Sequence, residues 1–540
     1  MVKKYYTILM DLEKTLKEYF GYSSFRHPQK EIISDSLNNK DQLVILPTGS
    51  GKSICYQLPA LIQKGVTIVI SPLKSLIVDQ VANLKNKNIE SDAIYGDIGE
   101  VKKRFILDSM LCENYSKNII YTTPETLEKN NEFFENLKLL EECGRLTRFV
   151  IDEAHCISMW GNDFRSSYRK LSDIKSNFKK IPVMALTATA TKQTRSDIEH
   201  LLCLNKHKTY TISYFRPNLN IKVIKRGKVI QTISEIVNNI KTIYNNKTGI
   251  IYCSSRKKCE ELSGKFNDQG IATLPYHAGL SNKIRKETQD KWKNDEVKVI
   301  TATIAFGMGI DKDNVRFVIH FNMPFSIENY YQEIGRAGRD GLKSDCILYY
   351  SYQDKILAEK LMRMNKTSVC NNEKHIQHQV TKLDKMVNYA ENIVDCRHCQ
   401  ICNYLGELRC LSKDICDESC CNCVNFKKNL LEKKNVTDIA KLIFKGIMEN
   451  KIPKRSNIDT YFKNYSNFNQ LAGKYFKLSI QESKKQLIQL YERVFTHLIV
   501  NKFIKEKYVL TKSGFWRENY QIFKKSINVI ENKEYIYIYA

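Results

Sequence analysis

Three groups of residues have the types and order needed to work on a phosphate chain. The first is Pro47-Thr48-Gly49-Ser50-Gly51-Lys52-Ser53, which follows the apolar run 43–46 and opens a predicted helix reaching residue 61. Strand, glycine turn and helix form the setting of a phosphate loop. The glycines let backbone N–H groups wrap the phosphates, and the helix N-terminus favours their negative charge. Lys52 is placed to reach the β- and γ-phosphates and Ser53 to ligate Mg²⁺. The strict motif has glycine where Leu46 stands, while its Gly51-Lys52-Ser53 end is intact.

The second group is Asp152-Glu153, directly after Arg148-Phe149-Val150-Ile151. Acids at the C-terminal end of a buried parallel strand lie where an open α/β sheet binds ligands. Asp152 fits Mg²⁺ coordination and Glu153 the activation of water. The same stretch runs on through Trp160, Phe164, Arg165 and Tyr168. Aromatic rings beside an arginine in a polar, glycine-containing segment suit base stacking and phosphate neutralisation. The third group is residues 332–341, where Arg336 and Arg339 lie three apart. An arginine delivered from a second domain onto a γ-phosphate is the arginine-finger device.

The elements that must position these groups follow from the apolar pattern. Runs at 43–46, 66–71, 119–122, 149–152 and 183–187 alternate with helical segments, which predicts a doubly wound parallel sheet. The hydroxyl-rich loops 71–73, 122–125 and 187–190 end three of these strands and suit phosphate contacts. A second α/β block has strands at 249–252, 272–276, 297–301, 315–320 and 346–350 and helices at 256–267, 281–294 and 327–335, without a phosphate loop of its own. Beyond residue 360 the strand rhythm stops, and Cys396, Cys399, Cys402, Cys410, Cys416, Cys420, Cys421 and Cys423 gather. From 429 the chain reads as helices at 436–449 and 482–501, then a β-like hairpin starting at 503–511.

Length and charge set the frame. A chain of 540 residues exceeds one core and predicts three or four domains. Lys and Arg number 85 against 59 Asp and Glu, so the net charge is +26, which favours a polyanionic partner such as nucleic acid. Seventeen cysteines, an odd number, and an N-terminus without an apolar core region argue against secretion and for reduced thiols. No run reaches the length of a membrane span. The expectation is a soluble intracellular protein with no membrane partner. Clustered thiolates in a reduced compartment suit tetrahedral Zn²⁺, and Cys420-x-x-Cys423 is the usual chelating spacing.

Taken in order, these motifs resemble those of the RecQ family of superfamily-2 DNA helicases, from about Leu16 to Cys423. The resemblance is carried by FGY-x-x-FR-x-x-Q at Phe20–Gln29, LPTGSGKS, SPLKSL, DEAH, TATA, AFGMGID at Ala305–Asp311 and QEIGRAGRDG. It implies two tandem RecA-like parallel-sheet domains, a helical zinc-binding subdomain and a winged helix. The implied boundaries are 1–207, 208–350, 351–428 and 429–540. The implied activity is ATP-dependent 3′–5′ translocation on single-stranded DNA with unwinding of duplex or branched DNA in recombination, repair or replication. A nuclear location is implied in a eukaryote, and a cytoplasmic one otherwise.

By the same resemblance Tyr22 stacks on adenine while Arg26 and Gln29 read it, and Gly309 and Asp311 join the nucleotide site. Gln332 belongs to the catalytic group, with Arg339 as the finger and Arg336 supporting it. His155 and Thr187 relay the nucleotide state, and the loop from Trp160 through Asp163 to Tyr168 senses single-stranded DNA. This chain has Met159 and Asn162 where the family usually has glutamine and histidine. The family's zinc ligands map to Cys396, Cys416, Cys420 and Cys423, leaving Cys399 and Cys402 as buried apolar side chains. The accessory C-terminal domain of many relatives is expected to be absent. Two other functions share parts of this pattern: an RNA-directed helicase, and a nucleic-acid scaffold whose nucleotide site has decayed.

Overall fold

The computed structural model describes residues 12–158, 166–204, 206–307, 312–364, 373–407, 416–428, 430–452, 455–464, 470, 474–475, 480–510 and 516–539. Its internal contacts separate two units, residues 1–386 with 397–420 and residues 387–396 with 421–540.

The first unit holds two parallel sheets. The first contains β1 (Gln42–Ile45), β2 (Val66–Ile70), β3 (Asp92–Ile94), β4 (Ile119–Thr122), β5 (Leu146–Ile151), β6 (Val183–Thr187) and β7 (Lys208–Thr211) in the order β3-β4-β2-β5-β6-β1-β7. All its neighbours pair in parallel. Every residue of β1, β2, β4 and β6 is buried. Helices on both faces leave these strands no solvent side, so they read as unbroken apolar runs instead of alternating ones. Parallel pairing also brings the ends of β1, β5 and β6 to one edge, and there the phosphate loop, the acidic pair and the Thr187–Ala190 loop emerge together.

The second sheet contains β8 (Leu219–Lys225), β9 (Thr248–Tyr252), β10 (Thr273–Tyr276), β11 (Val299–Ala302), β12 (Val315–His320) and β13 (Ser344–Tyr350) in the order β10-β11-β9-β12-β13-β8. It too is parallel throughout. The helices Arg256–Asp268, Asn282–Lys293 and Ile327–Ile334 agree with their predicted positions to within two residues. β3, β7 and β8 were not anticipated. β7 has Lys208, Thr209 and Thr211 exposed at the sheet margin, so it shows no apolar run.

In the second unit the helices Thr437–Met448, Ile458–Lys463 and Ile480–Val500 pack around Ile443, Phe444, Phe462, Tyr491 and Phe495. The rings of Phe462 and Tyr491 stack with centroids 3.6 Å apart. An antiparallel hairpin follows, β15 (Ile504–Leu510) with β16 (Trp516–Ile522). A second antiparallel pair joins β14 (Lys433–Asn435) to β17 (Tyr537–Tyr539). Helices and hairpin agree with the order expected from sequence. Among the described residues no helix is long and apolar enough to cross a membrane.

Candidate functional site

The phosphate loop occupies residues 46–53 between β1 and the helix Ile54–Ile62. Gly49 and Gly51 have φ of 84° and 81°, a backbone region that side chains rarely enter. Both are also pressed by neighbours. A Cβ on Gly51 would meet the Gln29 amide nitrogen at 2.4 Å, and one on Gly49 would meet Arg339 Cγ at 3.1 Å. Ser50 Oγ donates to the Pro47 carbonyl at 2.6 Å, and Thr48 faces Gly335. Lys52 Nζ donates to the Leu46 carbonyl at 3.0 Å.

Gln29 joins this loop to the Phe20–Gln29 segment. Its side chain accepts from the Arg26 amide at 2.9 Å and donates to the carbonyls of Ser50 and Gly51 at 3.2 Å each. The Arg26 guanidinium donates to the Gly49 carbonyl at 2.8 Å. Tyr22 is 49% exposed, so its ring is free to receive a planar base.

Asp152 and Glu153 follow β5. Glu153 has φ of 49°, left-handed backbone at a non-glycine residue, and starts the short 3₁₀ turn Ala154–Ile157. Such strain persists where surrounding structure imposes it, most often at functional sites. Burial and then the Glu153 charge push the Asp152 carboxyl up, against the pull of Lys52. Burial pushes the Lys52 ammonium down, opposed by Glu153 and Asp152. Two half-buried carboxylates beside one ammonium fit a divalent cation, whose charge would relieve their repulsion.

From Glu153 a polar chain leads to the second sheet. His155 Nδ1 lies 3.2 Å from Glu153 Oε2 and 2.9 Å from Thr187 Oγ1. Thr187 donates to the Thr189 carbonyl at 3.0 Å, and Gln332 Nε2 donates to Thr189 Oγ1 at 3.4 Å. Arg339 lies against Gly49, while Arg336 is 7% exposed and its guanidinium bonds the buried Tyr252 hydroxyl.

Tyr168 is placed differently from the expectation. It is fully buried and its hydroxyl donates to the Asp152 carbonyl at 2.9 Å, so its ring cannot stack on a base. It instead braces the strand end that carries the acidic pair. Trp160, Asp163, Phe164 and Arg165 lie outside the described residues, as do Met159, Asn162, Gly309 and Asp311. Sequence reasoning also passed over Gln57, Tyr121 and Gln80. The one signal for them was a polar residue within the apolar stretch 54–61.

Cys396, Cys416, Cys420 and Cys423 are buried, and their sulfurs all lie within 4.8 Å of one another. The Arg397 amide donates to Cys420 Sγ at 3.4 Å. Cys399 and Cys402 are buried outside this group. Four thiolates that close together suit a tetrahedral Zn²⁺ without an open position, the arrangement of a structural site.

Comparison with known proteins agrees with this layout. Residues 26–198 match the DEAD/DEAH box helicase model, 228–341 the helicase conserved C-terminal domain and 352–424 the RecQ zinc-binding domain. The ATP-dependent DNA helicase Q1 of Rattus norvegicus is 36% identical over 507 residues, covering 93% of this chain and 78% of the relative. The chain belongs to the RecQ family of DNA helicases. The RecQ-like DNA helicase BLM of Xenopus laevis is 41% identical over 445 residues, 82% of this chain, which spans about a third of that relative's length (32%). The RecQ zinc-binding match, together with the four-cysteine cluster, implies zinc, and the helicase domains imply nucleotide use. Among solved structures, the Mycobacterium smegmatis helicase Lhr bound to ssDNA and AMP-PNP aligns with a TM-score of 0.52 at 15% identity, over 94% of this chain and 77% of its own. That likeness concerns the fold alone.

Proposed function

We propose that this RecQ-family chain is an ATP-driven motor that moves 3′ to 5′ on single-stranded DNA and unwinds duplex DNA. The observation that carries the reading is the approach of Arg339, at the end of the QEIGRAGRDG segment, to Gly49 of the phosphate loop on the other sheet. A nucleotide held by residues 47–53 would have Lys52 on its phosphates and Arg339 facing the transferred group. Hydrolysis would then couple to closing and opening of the cleft between the two sheets. Glu153 is the base for the attacking water. Ser53 and Asp152 would hold Mg²⁺, which neutralises phosphate charge during transfer. Tyr22, Arg26 and Gln29 form the base reader, joined by Gly309 and Asp311.

Thr187, His155 and Gln332 supply the relay between Glu153 and the second sheet, and residues 160–165 the DNA sensor. Arg336, held within the second sheet, positions the segment that carries Arg339. Cys396, Cys416, Cys420 and Cys423 are the zinc ligands and act structurally. Residues 429–540 are read as a winged helix, on their order of helices followed by a hairpin. The net charge of +26 fits a DNA track, and a nuclear location in a eukaryotic cell fits that substrate.

Strand displacement on 3′-tailed and 5′-tailed duplexes tests this, with phosphate release measured on DNA and RNA strands. Unwinding of the 3′-tailed DNA alone, with DNA the better activator, is expected. Preferential activation by RNA, or unwinding from 5′ tails, would sink the proposal.

A further inference from the structure

Behind the acidic pair lies a polar network that the reaction described above does not use. Tyr56 and Tyr121 are each 1% exposed, and their hydroxyls lie 3.5 Å apart. Gln57 Nε2 donates to Tyr121 Oη at 3.2 Å and to Gln80 Oε1 at 3.1 Å. Tyr56 also hydrogen-bonds Ser53, and both tyrosine hydroxyls feel the Asp152 charge. The chain of contacts therefore runs from Ser53 through Tyr56, Tyr121 and Gln57 to Gln80.

Its members come from three elements. Tyr56 and Gln57 sit on the helix after the phosphate loop, Tyr121 on β4 next to the Thr122–Glu125 loop, and Gln80 on the helix Lys74–Lys85 that follows Ser71-Pro72-Leu73. Buried polar groups need partners in any fold, and an apolar set of the same shape would satisfy packing at less cost. What this set adds is connection, since two of its three elements lead into hydroxyl-bearing loops on the sheet edge where nucleic acid would lie. The neighbour of Gln80 supplies a further contact. Asp79 accepts a hydrogen bond from Gln289 of the second sheet's helix Asn282–Lys293 and faces Lys293, Lys286 and Asp290 there.

We infer that Tyr121, Gln57 and Gln80 are positioning residues that tie the helix Lys74–Lys85 to the nucleotide site, so that its loop and its contact with the second sheet shift with the nucleotide state. This rests on the helicase reading proposed above. The helix would answer to two inputs at adjacent residues, the phosphate site through Gln80 and the second sheet through Asp79. An element with two arrangements, biased from both sides, is what coupling between sites requires.

Tyr121→Phe removes the central oxygen and keeps the ring, and Gln80→Ala trims a half-buried side chain that the core does not need. Both variants would be assayed beside the wild-type chain for ATP turnover with and without single-stranded DNA, for KM of ATP and for DNA affinity. The expected result is about a tenfold loss of DNA-stimulated turnover in each, with the DNA-free rate, KM and DNA affinity within about twofold of wild type, and no further loss in the double variant. Equal loss with and without DNA would overturn the inference, as would additive effects in the double variant or no effect at all. A wild-type chain that DNA does not stimulate would instead defeat the helicase reading beneath it.

Discussion

The two sheets of the first unit share one strand order. Reading β3-β4-β2-β5-β6-β1 against β10-β11-β9-β12-β13-β8 matches them position by position, with β7 the only strand of the first sheet lacking a counterpart among the described residues. What differs is how the matched strands end. β1 runs into the eight residues 46–53, with two glycines in left-handed backbone. Its partner β8 reaches its helix in three residues, 226–228. There Arg226 is fixed by Asp354 through two bonds of 3.0 and 2.7 Å. β5 is followed by Asp152 and Glu153, whereas β12 ends in His320, closed off by Glu333 at 2.7 Å. On the reading proposed above, one architecture would serve as a reaction site where its strand exits are open, and as a carrier of arginines where the Arg226–Asp354 pair and the His320–Glu333 hydrogen bond close them.

This contrast can be broken from either side. The largest effect is expected at the open exit. Lys52→Ala should leave no measurable DNA-stimulated phosphate release, and full activity in that variant would show that the loop does not hold the phosphates. Next comes the residue that the carrier delivers. Arg339→Ala should slow hydrolysis by about a thousandfold while nucleotide affinity stays within about threefold. A comparable loss of binding would make Arg339 an anchor and not a finger.

The closed exit should answer in stability. Asp354 is buried and also accepts from the Met323 amide at 3.0 Å and from Asn322 at 2.9 Å. Asp354→Ala leaves the Arg226 charge uncompensated, and denaturant titration should find about 3 kcal/mol lost. A loss below about 1 kcal/mol would mean that the pair does not hold the exit.

The smallest effect concerns β7. Asp35 meets Lys208 at 3.0 Å, bonds the Tyr210 hydroxyl and pairs with Lys40 at 2.8 Å. Burial alone would push its carboxyl up, but bonds from Lys40, Tyr210 and Lys208 hold it at about 2. A carboxyl depressed by folding contributes stability above its ordinary value near 4 and loses it as the pH falls toward 2. After solvent screening that contribution is about 1 kcal/mol, and Asp35→Asn should remove this part of the acid dependence. An unchanged acid limb would release β7 from this tie.

Much of this contrast is legible in the sequence. The phosphate loop and acidic pair are local patterns whose chemistry dictates their residue types, and fully buried strands announce themselves as apolar runs. The missing strands are short or polar. β3 has three residues, and β8 reads Leu219-Asn220-Ile221-Lys222-Val223-Ile224-Lys225, an alternation that could have revealed it. Tyr168 was misassigned because ring type shows in a sequence and burial does not. The Gln57–Tyr121–Gln80 bonds join residues 23 and 64 positions apart, beyond any local pattern. The cysteine set came from spacing and resemblance together, because eight clustered thiols permit many foursomes.

Gln29 lies so close to Gly51 that a single methyl would not fit between them, and its amide is committed to the carbonyls of Ser50 and Gly51. A residue so placed cannot be retuned for one task alone. On the proposed reading, in which Gln29 reads the base, changing it to admit a different nucleoside triphosphate would also slacken the loop that would grip the phosphates. The choice of fuel and the use of fuel would then be fastened to the same side chain.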